Sequence, residues 1–299
     1  MPLDRRELMA RAVAALGTVS LSPFASAAGQ QPASLHREIG ITMSSVARLE
    51  TAAGPEDISI LDWPRILRDE LDMRVIDLNT GAVTSTEPAY LEKVRSAADK
   101  AGCVLTNMKI NRDDVNIGHR DKAVRDKALA ECKRWIEASS HLGVRWARPI
   151  PSVEQPDMPG YLAAFRELAD YAAEHKVQLL VENYGWMDAD ADASTRLIEA
   201  VGHNIAACPD TGNWANQETR FAGLTKMFPR AVSCDFKAGK LGPHGEHAAW
   251  DLKRCFTIGW DAGFRGPWCL EHANTDRKAL IRELALLRDM LKMWMAERG

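Results

Sequence analysis

Eight short apolar runs, each followed by a longer stretch of helical period, constrain this chain more than any other feature. The runs are EIGITM (38–43), MRVIDLN (73–79), CVLTNMKI (103–110), VRWARPI (144–150), VQLLV (177–181), NIAACPD (204–210), AVSCDFK (231–237) and GPWCLEH (266–272). Between and after them the spacing predicts helices over 64–72, 88–102, 121–142, 158–176, 193–202, 221–229, 248–263 and 276–297. Strict alternation of this kind points to parallel strands joined by crossover helices. Eight such units close a barrel. The expected fold is α/β, a (β/α)8 TIM barrel, read as one domain over 36–299.

The first thirty residues stand apart. Arg5 and Arg6 form a basic start, a mildly apolar segment runs from Ala12 to Phe24, and Ala25-Ser26-Ala27 gives a small-x-small cleavage site. That is the layout of a signal peptide, and the adjacent arginines resemble a twin-arginine signal. Residues 1–30 are therefore set aside as a leader, and the mature protein is expected in the periplasm. The rest holds no run of about 18 apolar residues, so no mature transmembrane helix is expected. A formal net charge of -3 gives no reason to expect a nucleic-acid partner. The six cysteines are scattered singly through core-like runs, without a CxxC pair. They read as buried free thiols rather than a disulfide framework. A homo-oligomer is left open.

Four consecutive runs finish on acids: Glu182, Asp210, Asp235 and Glu271. In a closed barrel the C-terminal ends of neighbouring strands converge on one mouth. Four unpaired carboxylates gathered there would repel one another and require a divalent cation or protonation. An all-oxygen ligand set suits a hard ion, Mn²⁺ or Mg²⁺. Taken singly, each acid could instead cap the next helix or pair with a lysine.

The stretches VENYGW, PDTGNW, VSCDFK and LEH resemble the motifs of the xylose isomerase-like barrel superfamily, the sugar phosphate isomerases and epimerases. The resemblance spans about residues 36–297 and is strongest from Val181 to His272. It implies that Glu182 and Glu271 bind a metal and move protons, and that Asp210 is a further ligand. Many members carry a histidine where this chain has Asn213. Another histidine is matched by Asp235, which would harden the site to oxygen donors alone.

Other residues are candidates for holding a small-molecule sugar substrate. Lys237 shares its strand parity with Asp235 and could neutralise the acids or hold a substrate oxygen. Arg148 ends its strand beside Pro149 and could serve likewise. Asn107 and Lys109 are placed near the end of the third strand. His247 lies in a predicted loop, where it could donate to a sugar or simply be solvated. Trp186 and Trp214 follow two acid-bearing strands, where an aromatic face could cover a sugar ring or pack the loops. The expected function is a divalent-metal-dependent isomerase or epimerase of a sugar or keto-sugar, with keto-glycosides included. It would work by proton abstraction next to a carbonyl. The alternatives are a metal-dependent lyase or hydrolase of glycosides and a non-catalytic sugar-binding barrel.

Overall fold

The computed structural model describes residues 32–47, 49–51, 54–55, 58–239, 241–242, 244–247 and 249–299. The expected leader, 1–30, lies outside them. Eight parallel strands build the wall: β1 (Ile39–Thr42), β2 (Val75–Asn79), β3 (Val104–Ile110), β4 (Trp146–Pro149), β5 (Gln178–Val181), β6 (Ile205–Ala207), β7 (Cys234–Lys237) and β8 (Trp268–Glu271). They alternate with α1 (Trp63–Leu71), α2 (Pro88–Lys100), α3 (Lys122–Leu142), α4 (Met158–Glu174), α5 (Ala193–Val201), α6 (Gln217–Met227), α7 (Leu252–Asp261) and α8 (Arg277–Glu297). The ladder runs β6-β5-β4-β3-β2-β1-β8-β7. Single bridges from Ala207 to Ala231 and from Asp210 to Asp235 close the remaining seam.

That seam explains a difference from the sequence reading. The sixth and seventh runs were expected as strands over 204–210 and 231–237, yet the regular pairing is shorter. Pro209 has no N–H to give to a ladder. Its carbonyl still accepts from Asp235 N at 2.9 Å, and Thr211 N donates to Asp235 O at 3.0 Å, so the wall resumes just below the mouth. Two helix starts also differ. α6 begins four residues early because Asn216 caps it, accepting from Thr219 N at 2.9 Å. α7 begins late because Asp251 caps it through Arg254 N. Asx side chains satisfy the free N–H groups of a first turn, so they set where a helix starts. A two-residue antiparallel ladder, Glu50–Thr51 with Gly54–Pro55, follows β1 and was not expected.

Two cores result from strand alternation. Side chains pointing outward pack against the helices in one large apolar cluster. Inside the barrel, Val75, Trp146, Leu180, Ala206, Cys208 and Cys269 fill the lower part. Above them Asp77 is wholly buried and accepts from Thr106 Oγ1, Asn107 Nδ2 and Ser233 Oγ. The charged residues form the top layer. All six cysteines are buried and unpaired. Among the described residues no helix is long and apolar enough to cross a membrane.

Candidate active site

Strand register sorts the charges. Lys109 and Arg148 stand side by side at the ends of β3 and β4. The acids follow around the wall: Glu182 after β5, Asp210 after β6, Asp235 in β7 and Glu271 closing β8. The mouth therefore has a cationic wall facing an acidic one. Lys237 breaks the pattern, since it lies in register with Glu271 among the acids.

The two walls interlock. Lys109 Nζ is 2.6 Å from Asp235 Oδ1 and 3.5 Å from Glu271 Oε2. Arg148 Nε is 2.8 Å from Glu182 Oε2. Lys237 Nζ is 2.7 Å from Glu271 Oε1 and 3.5 Å from Asp210 Oδ2, and donates to Asn213 Oδ1 at 3.0 Å. Asn213 Nδ2 in turn donates to Glu182 Oε1 at 2.9 Å. A chain Glu182–Asn213–Lys237–Glu271 thus crosses the mouth. Among the described residues, four carboxylates meet three cations here.

Burial and charge set the protonation states. Burial alone would discharge Lys109, but the carboxylates of Asp235, Glu271 and Glu182 hold it protonated, well above the ordinary lysine range. The same opposition favours the charged form of Lys237, where burial is outweighed by Asp210 and Glu271. Glu271 is pulled down to about 2: burial would raise it, and Lys109 and Lys237 overcome that. Asp210 moves the other way, up to about 7, because burial is only partly offset by Lys237.

Three carboxylates have the spacing of a metal site. One oxygen each from Glu182, Asp210 and Asp235 lies within 4.8 Å of the others. Among the described residues, both Asp235 oxygens and Glu182 Oε2 are buried without a hydrogen-bond donor, although Lys109 and Arg148 are close in distance. The cations neutralise these oxygens without being aligned to fill their lone pairs. Hard donors with unfilled lone pairs suit a divalent ion, so this triad fits one. Glu271 lies outside the group.

The loop after β6 holds the site in shape, and its supports were not evident from the sequence. Asp210 Oδ1 accepts from the backbone N–H of Gly212 and Asn213, at 2.6 and 3.0 Å. Gly212 is needed because a Cβ there would lie 2.6 Å from Lys237 Cδ. Thr211 Oγ1 bonds both the N–H and the carbonyl of Lys237. Asn183, fully buried, donates to the carbonyls of Asp210 and Asn213 and accepts from Asp210 N. In VENYGW the sequence signal for Asn183 was only its adjacency to Glu182. Asn183→Ala is expected to cost about 1–3 kcal/mol, the penalty for stranding buried backbone groups. Thermal denaturation checks it, and a loss within the about 0.5 kcal/mol of an ordinary surface change would remove this role.

The remaining sequence candidates sit further from the charges. Trp214 is buried, its Nε1–H bonding Asp210 O at 2.9 Å and its ring filling the space over Gly223 of α6. It props the loop from behind. Trp186 is edge-on to Tyr161, with centroids 6.2 Å apart. His247 accepts from Gly239 N at its Nε2, and its Nδ1 faces Trp250. Both of its ring nitrogens are thus engaged in bracing its own loop. Asn107 contacts Asp77, below the charged layer. His272 points away from the mouth, with Nδ1 3.0 Å from Ala238 O and Nε2 2.6 Å from Glu283 of α8.

Residues 70–291 match the model of a family described as xylose isomerase-like TIM barrel. No curated protein matches the sequence significantly. Among solved structures, a D-psicose 3-epimerase from Clostridium cellulolyticum H10, determined with D-tagatose, aligns with a TM-score of 0.67 at 14% identity, covering 86% of this chain and 98% of its own. A 3-keto-D-glucoside 4-epimerase from E. coli aligns at 0.64 and 16% identity, covering 84% and 99%. A xylose isomerase-like TIM barrel protein from Mycobacterium smegmatis, in complex with magnesium, aligns at 0.60 and 17% identity, covering 86% and 97%. At such identities the likeness speaks for the fold.

Proposed function

The chain belongs to the xylose isomerase-like TIM barrel family, and from that premise we propose that it is an isomerase or epimerase of a sugar or keto-sugar. The observation that carries the reading is the hydrogen-bonded chain Glu182–Asn213–Lys237–Glu271, which places two carboxylates on opposite sides of one mouth. Glu182, Asp210 and Asp235 would hold a divalent ion, Mn²⁺ or Mg²⁺, which when bound polarises a carbonyl and acidifies the adjacent C–H. Arg148 and Lys237 supply fixed positive charge near the place where a substrate oxygen gains electron density. One of Glu182 and Glu271 removes the proton and the other returns it. Return to the opposite face gives epimerisation, and return to the next carbon gives isomerisation. The basic start and the Ala25-Ser26-Ala27 site support a periplasmic setting. There, glycosides and keto-glycosides are better candidates than phosphorylated sugars.

The test is a panel of keto-sugars and glycosides incubated in D₂O with Mn²⁺. Wild-type protein is expected to exchange one carbon-bound proton. Glu182→Gln and Glu271→Gln should each slow that exchange by about 10²–10⁴-fold, the usual worth of a positioned acid or base. Full exchange in either variant would sink the two-carboxylate scheme. Bond cleavage would favour the lyase or hydrolase alternative. Binding of a sugar with neither exchange nor cleavage would favour a non-catalytic barrel.

A further inference from the structure

We propose that Ser45 is the positioning residue for Glu271: its one hydroxyl takes the place of a missing neighbouring strand and fixes the backbone from which that carboxylate reaches into the mouth. This rests on reading Glu271 as a proton carrier, as proposed above, though not on which sugar is bound. The pairing of β1 with β8 ends at Ile41 and Leu270. Glu271 comes one residue later, where β1 gives way to the turn Met43–Val46. On the other side of β8 the ladder continues. Glu271 lies in register with Lys237, and its carbonyl accepts from Ala238 N at 2.9 Å.

In a parallel ladder a residue donates to the carbonyl before its opposite residue and accepts from the N–H after it. Asp235 does this across the seam, with Pro209 O and Thr211 N on either side of Asp210. Ser45 Oγ does the same around Glu271: it donates to Leu270 O and accepts from His272 N, both at 3.1 Å. A hydroxyl can donate and accept at once, so a single oxygen fills both groups that a strand residue opposite Glu271 would fill. The position of that oxygen is itself fixed. Thr42 Oγ1 accepts from Ser44 N at 3.2 Å and starts the turn, and Met43 and Val46 anchor it in the outer apolar cluster. Ser45 is only 1% exposed, so solvent has little access to its hydroxyl. His272, just past the clamp, is also held through its ring, by Ala238 O and Glu283. With the peptide groups on both sides of it pinned, Glu271 presents its carboxylate to Lys237 and Lys109 from a fixed base.

The test is a cycle of four full-length proteins: wild type, Ser45→Ala, Glu271→Gln and the double variant. In D₂O with Mn²⁺, S45A should slow proton exchange at saturating substrate by up to about 10²-fold, the cost of a misplacement of about 1 Å, with little change in KM. Added to E271Q it should slow exchange no further, because it acts through Glu271. Ser139→Ala is the control. It removes another buried hydroxyl, bonded to Trp135 O at 2.7 Å within α3, and should leave the rate unchanged. Denaturant titrations of the same cycle read the coupling without turnover. S45A should cost less stability in E271Q than in wild type, since part of its cost is the contact between Glu271 and the lysines; groups in one network couple, and independent ones add. Four results overturn the proposal: S45A at the wild-type rate; S45A and S139A slowed alike; a rate loss that adds in full to that of E271Q; and an equal stability cost of S45A in both backgrounds. Should S45A fail to fold, judged by circular dichroism, Ser45→Cys, with its weak hydrogen-bonding sulfur, runs the same comparisons. Should wild type exchange no proton from any substrate, the isomerase reading falls and the denaturation cycle alone decides for Ser45.

Discussion

Trp268→Ala is expected to cost about 3–5 kcal/mol of stability, the range for emptying a buried aromatic site. For a chain of this size that is a fall in Tm of about 6–20 °C, at about 2–4 °C per kcal/mol. Trp268 opens β8 with its ring pointing outward and wholly buried. Four phenylalanines surround it: Phe264 at 4.9 Å, Phe256 at 5.0 Å, Phe228 at 5.7 Å and Phe236 at 5.9 Å between ring centroids. They come from β7, α7, the segment after α7 and the turn that follows α6, so one ring joins two strands to the helical layer. Gly259 of α7 leaves the necessary room, since a Cβ there would lie 2.7 Å from the Trp268 ring. Trp268→Phe should cost far less. It keeps a ring in the cluster and removes an indole N–H that is buried without a partner among the described residues. Circular dichroism melts of the three proteins give the comparison. Equal losses for Ala and Phe would mean that a phenyl ring recovers none of the packing and that only the full indole fills the site.

The eight strands were legible because a barrel wall buries both faces of every strand, which leaves apolar runs with little interruption. The four strand-end acids were legible for the same reason. A carboxylate closing such a run stands out, as Glu182 does after Val177–Val181. Lys237 and Arg148 were legible as candidates to neutralise them, but which cation meets which acid was not. Whether Lys109 meets Asp235 or Glu271 depends on closure between elements more than a hundred residues apart and on how far each side chain reaches. Parity put Lys237 beside Asp235 on one face, yet its nearest acid is Glu271, its register neighbour across the strand pair. For Trp214 the sequence left open whether the ring covers a sugar or packs the loops, and it packs, buried behind the loop against Gly223. Alternation of apolar residues says nothing about which side of a loop an aromatic ring takes. Asn183 was missed because a buried amide that satisfies backbone groups has no periodic signature.

The charged layer also explains why this mouth can hold together whether or not an ion is bound. With the acids alone, burial would force protonation of several carboxylates. Lys109, Arg148 and Lys237 oppose that push at close range, and at Glu271 the two lysines overcome it. The supports in the PDTGN stretch then hold Asp210 through backbone N–H groups, independent of any ligand. Such a site is preorganised by its own side chains, and an ion would add to an existing arrangement.

Lys109→Met puts this to the sharpest test. The substitution keeps most of the volume and removes the charge. Asp235, wholly buried, is then left with no cation at contact distance among the described residues. Breaking a buried pair in this way costs about 3–5 kcal/mol, because the surviving charge has lost its compensation. The loss should depend on pH, with a sign that follows from burial. Asp235 is already pushed above the ordinary carboxylate range by burial, with Lys109 opposing the shift. Without Lys109 the folded-state pKa rises further above the unfolded one. A raised pKa means that the folded state holds the proton more tightly. The protonated form therefore stabilises the variant at low pH, and that stability is lost as the pH rises through the raised value. The gap between wild type and K109M should widen from acid toward neutral pH in denaturant titrations. Adding Asp235→Asn removes the stranded charge, so K109M/D235N should recover much of the loss and flatten the pH dependence. A K109M protein as stable as wild type at neutral pH would show that Asp235 does not rely on Lys109. A double variant no better than K109M would show that the loss comes from packing around the lysine stem and not from an uncompensated carboxylate.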